Sequence, residues 1–290
     1  NPSLSIIYKL NYAWRFTAHA SYKERYGEMT DLYDRPYQTD YRNSVWNCGI
    51  LPVYRQQLYS VYGEYKNTAR EFFATVNLTH NREWYNRIYE QRIENGQVQR
   101  VSLPLSNHGS GYTVKSTLSK GFYELGLKTS FLVLLNISKA EQISGGQRLP
   151  YQYRLMRLEP KVIWTPNRHW ETSYQTDIRY GGNKIGERTR LAPLWNVTQQ
   201  VQLSYIFSSI EASLSLDHYH NDVNEDQSVN AVFADFSVSW KSRRWQITAT
   251  ATNLFDKRTY AYTRYASLES YTSWVRIRPR EFLVAIRYRL

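Results

Sequence analysis

Apolar and polar residues alternate with a period of two along almost the whole of the 290-residue chain. In the last segment, the apolar residues at alternate positions are Phe282, Val284, Ile286, Tyr288 and Leu290. Because successive side chains of a strand point to opposite faces, such alternation predicts strands that separate two different environments. No segment shows sustained helical periodicity. The sequence therefore predicts an all-β fold.

The predicted strands are long. About thirteen segments alternate in this way, and most reach the roughly 9–11 residues that a tilted strand needs to cross a bilayer. Strands of soluble sandwiches are usually about 5–6 residues long. The longest uninterrupted apolar run, 131–135, is far shorter than the about 20 residues of a transmembrane helix. These lengths predict a transmembrane antiparallel β-barrel.

Short turns and long polar loops alternate between the predicted strands, as they do in bacterial outer-membrane barrels. The predicted short turns are Asn11–Tyr12, Asn67–Ala69, Lys120–Gly121, Pro166–Asn167, Ser208–Ser209 and Ser242–Arg243. The predicted long loops are about 24–52, 88–108, 139–148, 181–190, 219–228 and 262–279. This alternation places the chain in the bacterial outer membrane as a multi-pass β-barrel.

Aromatic residues are unusually frequent, with 26 Tyr, 9 Trp and 10 Phe. Tyr and Trp combine an apolar ring with a polar group, so they favour the boundary between lipid and water. Five tryptophans flank the predicted short turns: Trp14, Trp164, Trp170, Trp240 and Trp245. We expect these five to form one belt at the short-turn side of the barrel.

Composition and motifs argue against several other functions. The net charge is +12, but Lys and Arg are scattered and no nucleic-acid fold motif occurs, so no nucleic-acid partner is predicted. The single Cys48 has no cysteine partner within the chain. The sequence has neither Gly-x-Ser-x-Gly nor His-Glu-x-x-His, and no Gly-rich phosphate loop. We therefore predict no enzymatic activity, no cofactor and no metal site.

One segment has a partial resemblance to a calcium loop. Asp222, Asn224 and Asp226 carry oxygen ligands at alternate positions, as the start of such a loop does. The glycine and the terminal glutamate that the loop needs are absent. The segment is interpreted as an acidic surface loop.

The first long loop combines aromatic rings with charged groups, which can stack on a ligand and form hydrogen bonds with it. The candidate ligand-binding residues in this loop are Tyr33, Arg35, Tyr37, Tyr41 and Trp46. The alternative interpretation is a loop that packs on its neighbours or touches lipopolysaccharide.

Two motifs near the C-terminus resemble a known family. The stretch Asn253–Tyr260 is similar to the Asn-Leu-Phe-Asp-Lys-x-Tyr motif of TonB-dependent receptors, and the ending Arg278–Leu290 resembles their last strand, especially in Bacteroidota. Leu290 stands where the family usually has Phe. The resemblance implies a barrel of about 22 strands, an N-terminal plug domain and a TonB box.

The count of about thirteen strands is odd, whereas single-chain bacterial barrels have even numbers of strands. We therefore expect residues 1–290 to be the C-terminal part of a transmembrane barrel, with the plug domain and the N-terminal strands absent from this chain. The expected partners are outer-membrane lipid and lipopolysaccharide, those absent parts of the receptor, TonB acting through them, and a surface lipoprotein.

The predicted function is that of an outer-membrane receptor wall for TonB-coupled uptake of a scarce nutrient. The ligand class stays open among siderophore, haem, vitamin, peptide and glycan, because a fold does not fix a function. Two alternatives also stay open: a passive porin or structural barrel, and an outer-membrane barrel hydrolase. We expect this chain not to close into a barrel by itself, since an odd number of antiparallel strands leaves its first and last strands parallel to each other.

Overall fold

The computed structural model describes residues 1–94, 97–186, 189–190, 192–224, 226–265 and 270–289. Its strands are, in chain order, β1 (Ser3–Lys9), β2 (Trp14–Tyr26), β3 (Tyr37–Gln38), β4 (Asn43–Trp46), β5 (Val53–Asn67), β6 (Phe72–Tyr85), β7 (Ile88–Glu94), β8 (Gln97–Leu103), β9 (Asn107–Phe122), β10 (Leu127–Ser144), β11 (Gln147–Asn167), β12 (Trp170–Ile185), β13 (Thr189–Arg190), β14 (Leu194–Phe207), β15 (Ile210–Asp222), β16 (Ser228–Lys241), β17 (Trp245–Thr252), β18 (Thr259–Tyr265), β19 (Ser270–Arg276) and β20 (Glu281–Tyr288). The helical elements of these residues are two 3₁₀ turns, Met29–Leu32 and Tyr123–Leu125. No helix among them combines the length and the apolar character of a membrane span.

Thirteen of these strands form one antiparallel sheet, which we call the wall. Its order is β1-β2-β5-β6-β9-β10-β11-β12-β14-β15-β16-β17-β20. Each wall strand pairs with the wall strand that follows it in the sequence, so the wall is a continuous series of hairpins. The predicted all-β fold, the strand number and the antiparallel barrel-type topology are confirmed.

One face of the wall carries cross-strand rows of apolar residues, and we call it the apolar face. A single row of register-paired residues crosses nine strands: Ile6, Ala18, Val61, Leu78, Val114, Leu135, Met156, Tyr180 and Trp195. These side chains are not packed under another layer, since Ile6 is 58% exposed and Leu78 is 48% exposed. An apolar surface this extensive requires a partner of low polarity, such as lipid.

The opposite face is polar, and its side chains bond to each other. The Thr75 and Thr117 hydroxyls lie 2.5 Å apart across β6 and β9. On β11 and β12, the Asp177 carboxylate lies 3.1 Å from the Arg157 guanidinium and 2.6 Å from that of Arg179. Side chains of the polar face therefore bond to each other across neighbouring strands, as is typical of the polar interior of a barrel.

Tryptophans gather at the short-turn ends of the wall strands. Trp14, Trp170 and Trp245 are the first residues of β2, β12 and β17, while Trp164 and Trp240 lie within the last residues of β11 and β16. Several pack on a tyrosine of the neighbouring strand; the Trp14 and Tyr65 ring centroids, for example, are 4.8 Å apart. The predicted clustering of these five tryptophans at the short turns is confirmed.

The predicted loop 139–148 is wrong. These residues continue β10 and β11, which reach 18 and 21 residues, and only Gly145 and Gly146 form the connection. Both glycines have positive φ, +58° and +75°, which is the backbone conformation that a two-residue hairpin turn needs. Polar composition suggested a loop here, whereas the glycine pair allows the two strands to stay paired up to the turn.

Two predicted turns are displaced along the chain. Lys120–Gly121 lies inside β9, and the connection is made by Tyr123–Leu125 followed by Gly126 at φ +59°. Pro166–Asn167 ends β11, and the turn follows it, where the Asn167 side-chain oxygen accepts the backbone N–H of His169 and Trp170. The asparagine side chain and the glycine with a left-handed backbone fix where these two turns begin. The alternation of apolar and polar residues predicts only roughly where a strand ends.

The wall is open at both edges. β1 pairs with β2 and β20 pairs with β17, and no further strand pairs with either one among the described residues. Every residue of both strands is exposed. This agrees with the expectation that the chain does not close on itself; Leu290, assigned to the last apolar stripe, lies outside the described residues.

Candidate functional site

The loop end of the wall carries a folded layer, which we call the cap, made of residues 27–52, 86–94 and 97–106. Within it, β4 runs parallel to β8, and β8 forms a hairpin with β7. The middle of β7, Glu90–Gln91, then pairs in parallel with the end of β10. The predicted loop 88–108 is therefore mostly a hairpin, and the first long loop contributes a strand to the same small sheet.

A cavity of about 610 Å³, which we call the mouth cavity, lies between the cap and the end of the wall. Its lining residues are Thr39, Asp40, Asn43, Ser44, Val45, Tyr85, Arg87, Tyr89, Gln91, Val98, Arg100, Asn107, Ala140, Glu141, Gln142 and Tyr151. Three tyrosines in this set give the cavity aromatic rings and phenol groups. Its charged residues are the arginines Arg87 and Arg100 and the carboxylates Asp40 and Glu141. A volume of this size suits a ligand of small-molecule dimensions.

The two arginines of the mouth cavity stack on one tyrosine. The guanidinium carbon of Arg100 lies 3.7 Å from the ring centroid of Tyr89, and that of Arg87 lies 4.9 Å from it. Burial raises the pKa of Tyr89 above its ordinary value, although both arginines oppose this shift, so the phenol is neutral at physiological pH. Arg100 forms no ion pair with a described residue, so its charge is available to a ligand.

Arg87 connects the β7–β8 hairpin of the cap with the first long loop. Its Nη1 lies 2.8 Å from Oδ1 of Asp31, and the other carboxylate oxygen accepts the backbone N–H of Glu28. Burial alone would raise the pKa of Asp31, but the hydrogen bonds from Arg87 and Glu28 outweigh it and lower that pKa below its ordinary value. Asp31 is therefore a stable anion that fixes the first loop on the hairpin.

A second contact between the first long loop and the β7–β8 hairpin involves Cys48, the single cysteine of the chain. The Cys48 sulfur lies 3.4 Å from the Ser102 hydroxyl, and Ser102 is buried. We expect the variant Ser102→Cys to form a disulfide with Cys48 under a mild oxidant, because the two side chains already point at each other. Peptide mapping without reductant measures the cross-link. Ser106→Cys is the control, and equal cross-linking in both variants would contradict the packing of the cap.

The predicted ligand-binding residues lie on the exposed surface of the cap. Tyr33 and Tyr37 meet edge to face, with ring centroids 6.1 Å apart. Tyr41 is 77% exposed, and Arg35 is exposed as well. Trp46 is held in place, since its indole N–H donates to Asp34 at 3.1 Å.

The structure thus brings Tyr33 and Tyr37 together and leaves Tyr41 apart from the mouth cavity. None of the five predicted residues lines the cavity, and their role in ligand binding stays a prediction. Sequence reasoning missed Arg87, Tyr89 and Arg100, because parallel pairing between distant loop segments creates the cavity. Neither 88–94 nor 97–103 alternates strictly between apolar and polar residues, so periodicity gave no signal for these strands.

The motif that resembles TonB-dependent receptors forms a hydrogen-bonded turn at the end of β17. The buried Asn253 amide nitrogen donates to the carbonyls of Lys257 and Arg278, at 2.8 and 2.9 Å. Its oxygen accepts the backbone N–H of Lys257 at 3.0 Å. Asp256 accepts the backbone N–H of Arg280. The motif therefore fixes the start of the last strand.

The acidic segment after β15 uses its oxygens for local bonds. One oxygen of Asp222 accepts the backbone N–H of Trp195 at 2.8 Å, and the other lies 3.3 Å from His220. Asn224 accepts the backbone N–H of Asp226. In the part of the chain that the structure describes, no three His, Cys, Asp or Glu residues form a group that could hold a metal ion.

Comparisons with known proteins find this fold in outer-membrane receptors. No family model matches the chain, and no curated protein matches it. FpvA of Pseudomonas aeruginosa, solved with an iron-loaded pyoverdine, has a TM-score of 0.50 and 11% identity over 99% of this chain and 44% of its own. The ferric yersiniabactin uptake receptor FyuA of Yersinia pestis has a TM-score of 0.50 and 7% identity, over 99% of this chain and 49% of its own.

Both proteins are TonB-dependent receptors, and this chain spans about half the length of each. At these identities the likeness concerns the fold alone. It shows that the wall has the strand arrangement of an outer-membrane β-barrel wall.

Proposed function

We propose that this chain forms part of the wall of an outer-membrane receptor that imports a scarce nutrient by TonB-coupled transport. The observation that carries the proposal is the mouth cavity, a capped pocket lined by tyrosines and arginines at the loop end of a receptor-type wall. In this arrangement the apolar face contacts lipid, while the polar face surrounds the transport path. The cap captures the ligand before it enters that path.

The chemistry of the mouth cavity favours an anionic ligand with aromatic or oxygen-rich groups. Arg100 supplies a guanidinium that stacks on Tyr89 and forms no ion pair with a described residue, and the phenols of Tyr85, Tyr89 and Tyr151 supply hydrogen bonds and stacking surfaces. An iron chelate, the kind of ligand named for the two similar receptors, satisfies these requirements. Haem, vitamins, peptides and glycans are the other ligand classes to be tested.

The open edges of the wall suggest where other parts of the receptor attach. β1 and β20 each present unpaired backbone groups, and such groups cost several kcal/mol each when they face lipid (about 4–8 in fully apolar surroundings). We propose that further strands of the same receptor pair with both edges. A plug domain would fill the enclosed space and transmit the force exerted by TonB. A surface lipoprotein would dock on the cap.

We expect Arg100→Gln to weaken binding of a ferric catecholate chelate by about tenfold, since a hydrogen bond to a charged group is lost. Titration calorimetry on the full receptor in detergent measures the dissociation constant, with haem and cobalamin as further probes. Arg35→Gln is the matched control on the exposed surface of the cap. A larger effect at Arg35 than at Arg100 would place binding on the predicted loop residues instead.

Energy dependence separates this function from a passive porin. Cells that carry the receptor should accumulate the iron-labelled chelate only while the inner membrane is energised. Accumulation that persists after a protonophore is added would contradict TonB coupling and favour a porin.

A further inference from the structure

A carboxylate of the polar face, Glu83 on β6, lies near the mouth cavity and has no cation bound to it. Its two oxygens accept hydrogen bonds at 2.8–3.1 Å from four neutral side chains, those of Tyr54, Gln56, Asn81 and Tyr85. No Lys, Arg or His of the described ranges forms an ion pair with it, and Lys23, the cation in the same register row, is two strands away on β2. Because both oxygens accept hydrogen bonds, Glu83 is an anion that neutral donors hold in place.

A glycine leaves open space between Glu83 and the lining of the mouth cavity. The register partner of Glu83 on β9 is Gly109, and Ala140 of β10, which lines the cavity, lies on the other side of this glycine. A methyl group at Gly109 would lie 3.9 Å from Oε2 of Glu83 and 3.9 Å from the Cβ atom of Ala140. The carboxylate is therefore one side-chain position away from the cavity lining, with no side chain in between.

Two residues that line the mouth cavity on the wall side have acceptor oxygens left over. The Tyr85 hydroxyl donates its proton to Glu83 at 2.8 Å, so its oxygen can only accept a bond from a ligand. The Asn107 amide nitrogen donates to the backbone carbonyl of Glu141 at 3.2 Å, and the Asn107 side-chain oxygen is buried without a hydrogen-bond partner. These groups favour a ligand that brings hydrogen-bond donors to this side of the cavity.

The cap side of the mouth cavity carries the opposite charge. Arg100 forms no ion pair with a described residue, whereas the two carboxylates of the lining are less able to hold a ligand. Asp40 is exposed, so water screens its charge, and Glu141 pairs with Arg148 at 3.1 Å. The charges best placed to bind a ligand are therefore Arg100 on the cap and Glu83 on the wall.

We propose that the wall side of the mouth cavity is a subsite for an ammonium group, so that the ligand is a zwitterion whose anionic part contacts Arg100 and whose amino group reaches Glu83. The proposal rests on the proposed function, because it names the charge pattern of the imported ligand. An ammonium group has three donors, and the oxygens of Glu83, Tyr85 and Asn107 are three acceptors on this side. A second anionic group placed there would be repelled by Glu83.

Two ferric catecholate chelates that differ in one group test the subsite: one carries a free primary amine, and the other is its N-acetyl derivative. We expect the full receptor in detergent to bind the amine form about tenfold more tightly in titration calorimetry, since acetylation removes one partly exposed charge contact. Glu83→Gln should lose this preference and keep the wild-type affinity for the acetylated form, which also shows that the variant is folded. The matched control Glu64→Gln removes a polar-face carboxylate that pairs with Arg15 at 2.8 Å near the short-turn end, and it should keep the preference.

Equal affinities of the wild type for the two chelates would overturn the subsite, and so would an amine preference that persists in Glu83→Gln. Failure of the wild type to bind the amine form would overturn it as well. The uptake assay gives a separate result for the transport function. An amine preference with uptake that survives the protonophore refutes only TonB coupling, and energy-dependent uptake of both chelates without an amine preference refutes only the subsite.

Discussion

Replacement of Asn253 by alanine is expected to lower the free energy of unfolding by about 3–5 kcal/mol. The buried amide makes three hydrogen bonds to backbone groups of Lys257 and Arg278. Each bond contributes about 1 kcal/mol, and the backbone groups left without a partner add a further penalty. Asn253 also has φ +50°, a left-handed conformation that asparagine tolerates and alanine does not.

Urea unfolding of the protein in lipid vesicles, followed by tryptophan fluorescence, measures this loss. Asn253→Gly keeps the left-handed backbone accessible, so its difference from the alanine variant isolates the backbone contribution. Asn253→Asp keeps the acceptor for Lys257 and loses both donors, and should fall between the wild type and alanine. A loss below about 1 kcal/mol in the alanine variant would show that the turn is not a stabilising element.

The second large effect is expected from a charge on the apolar face. Leu78→Arg should lower stability in lipid vesicles by about 2–4 kcal/mol, because it brings a guanidinium into the middle of the hydrocarbon layer. Leu78 occupies the apolar row between Val61 and Val114, six positions after the short-turn end of β6.

Thr79, the residue after Leu78, supplies the control variant. Thr79 points to the polar face, where its register partners are the neutral residues Ser60 and Thr113. Thr79→Arg should therefore change stability by less than about 1 kcal/mol. Equal losses in the two variants, or a larger loss for Thr79→Arg, would reverse the assignment of the lipid-facing side.

The alternation of apolar and polar residues was sufficient to predict the strands of the wall. The row that includes Leu78, Leu135 and Met156 is a register of adjacent strands, and each strand carries its own period of two. The positions of the turns were less predictable, because they depend on single residues. Gly145–Gly146 closes a hairpin where polar composition suggested a loop, and Gly126 displaces another turn by several residues.

The mouth cavity could not be predicted because its parts are distant in the sequence. β4 and β8 belong to different loops, and their parallel pairing leaves no pattern within either segment. The aromatic and charged composition of the first loop drew attention to Tyr33 and Trp46, which the structure places on the surface of the cap. The resemblance of 253–260 to a receptor motif suggested a family but not the hydrogen bonds of Asn253.

The length of the β10–β11 hairpin determines how far its tip projects beyond the lipid. Strands of 18 and 21 residues exceed the roughly 9–11 residues of a membrane crossing, and each residue adds about 3.3 Å. The hairpin tip would therefore stand above the lipid head groups, where large molecules outside the cell can reach it. The Gly146 backbone N–H donates to Glu90 of the cap at 3.0 Å, so the tip is bonded to the cap. A molecule that binds the tip would therefore also restrain the cap over the mouth cavity.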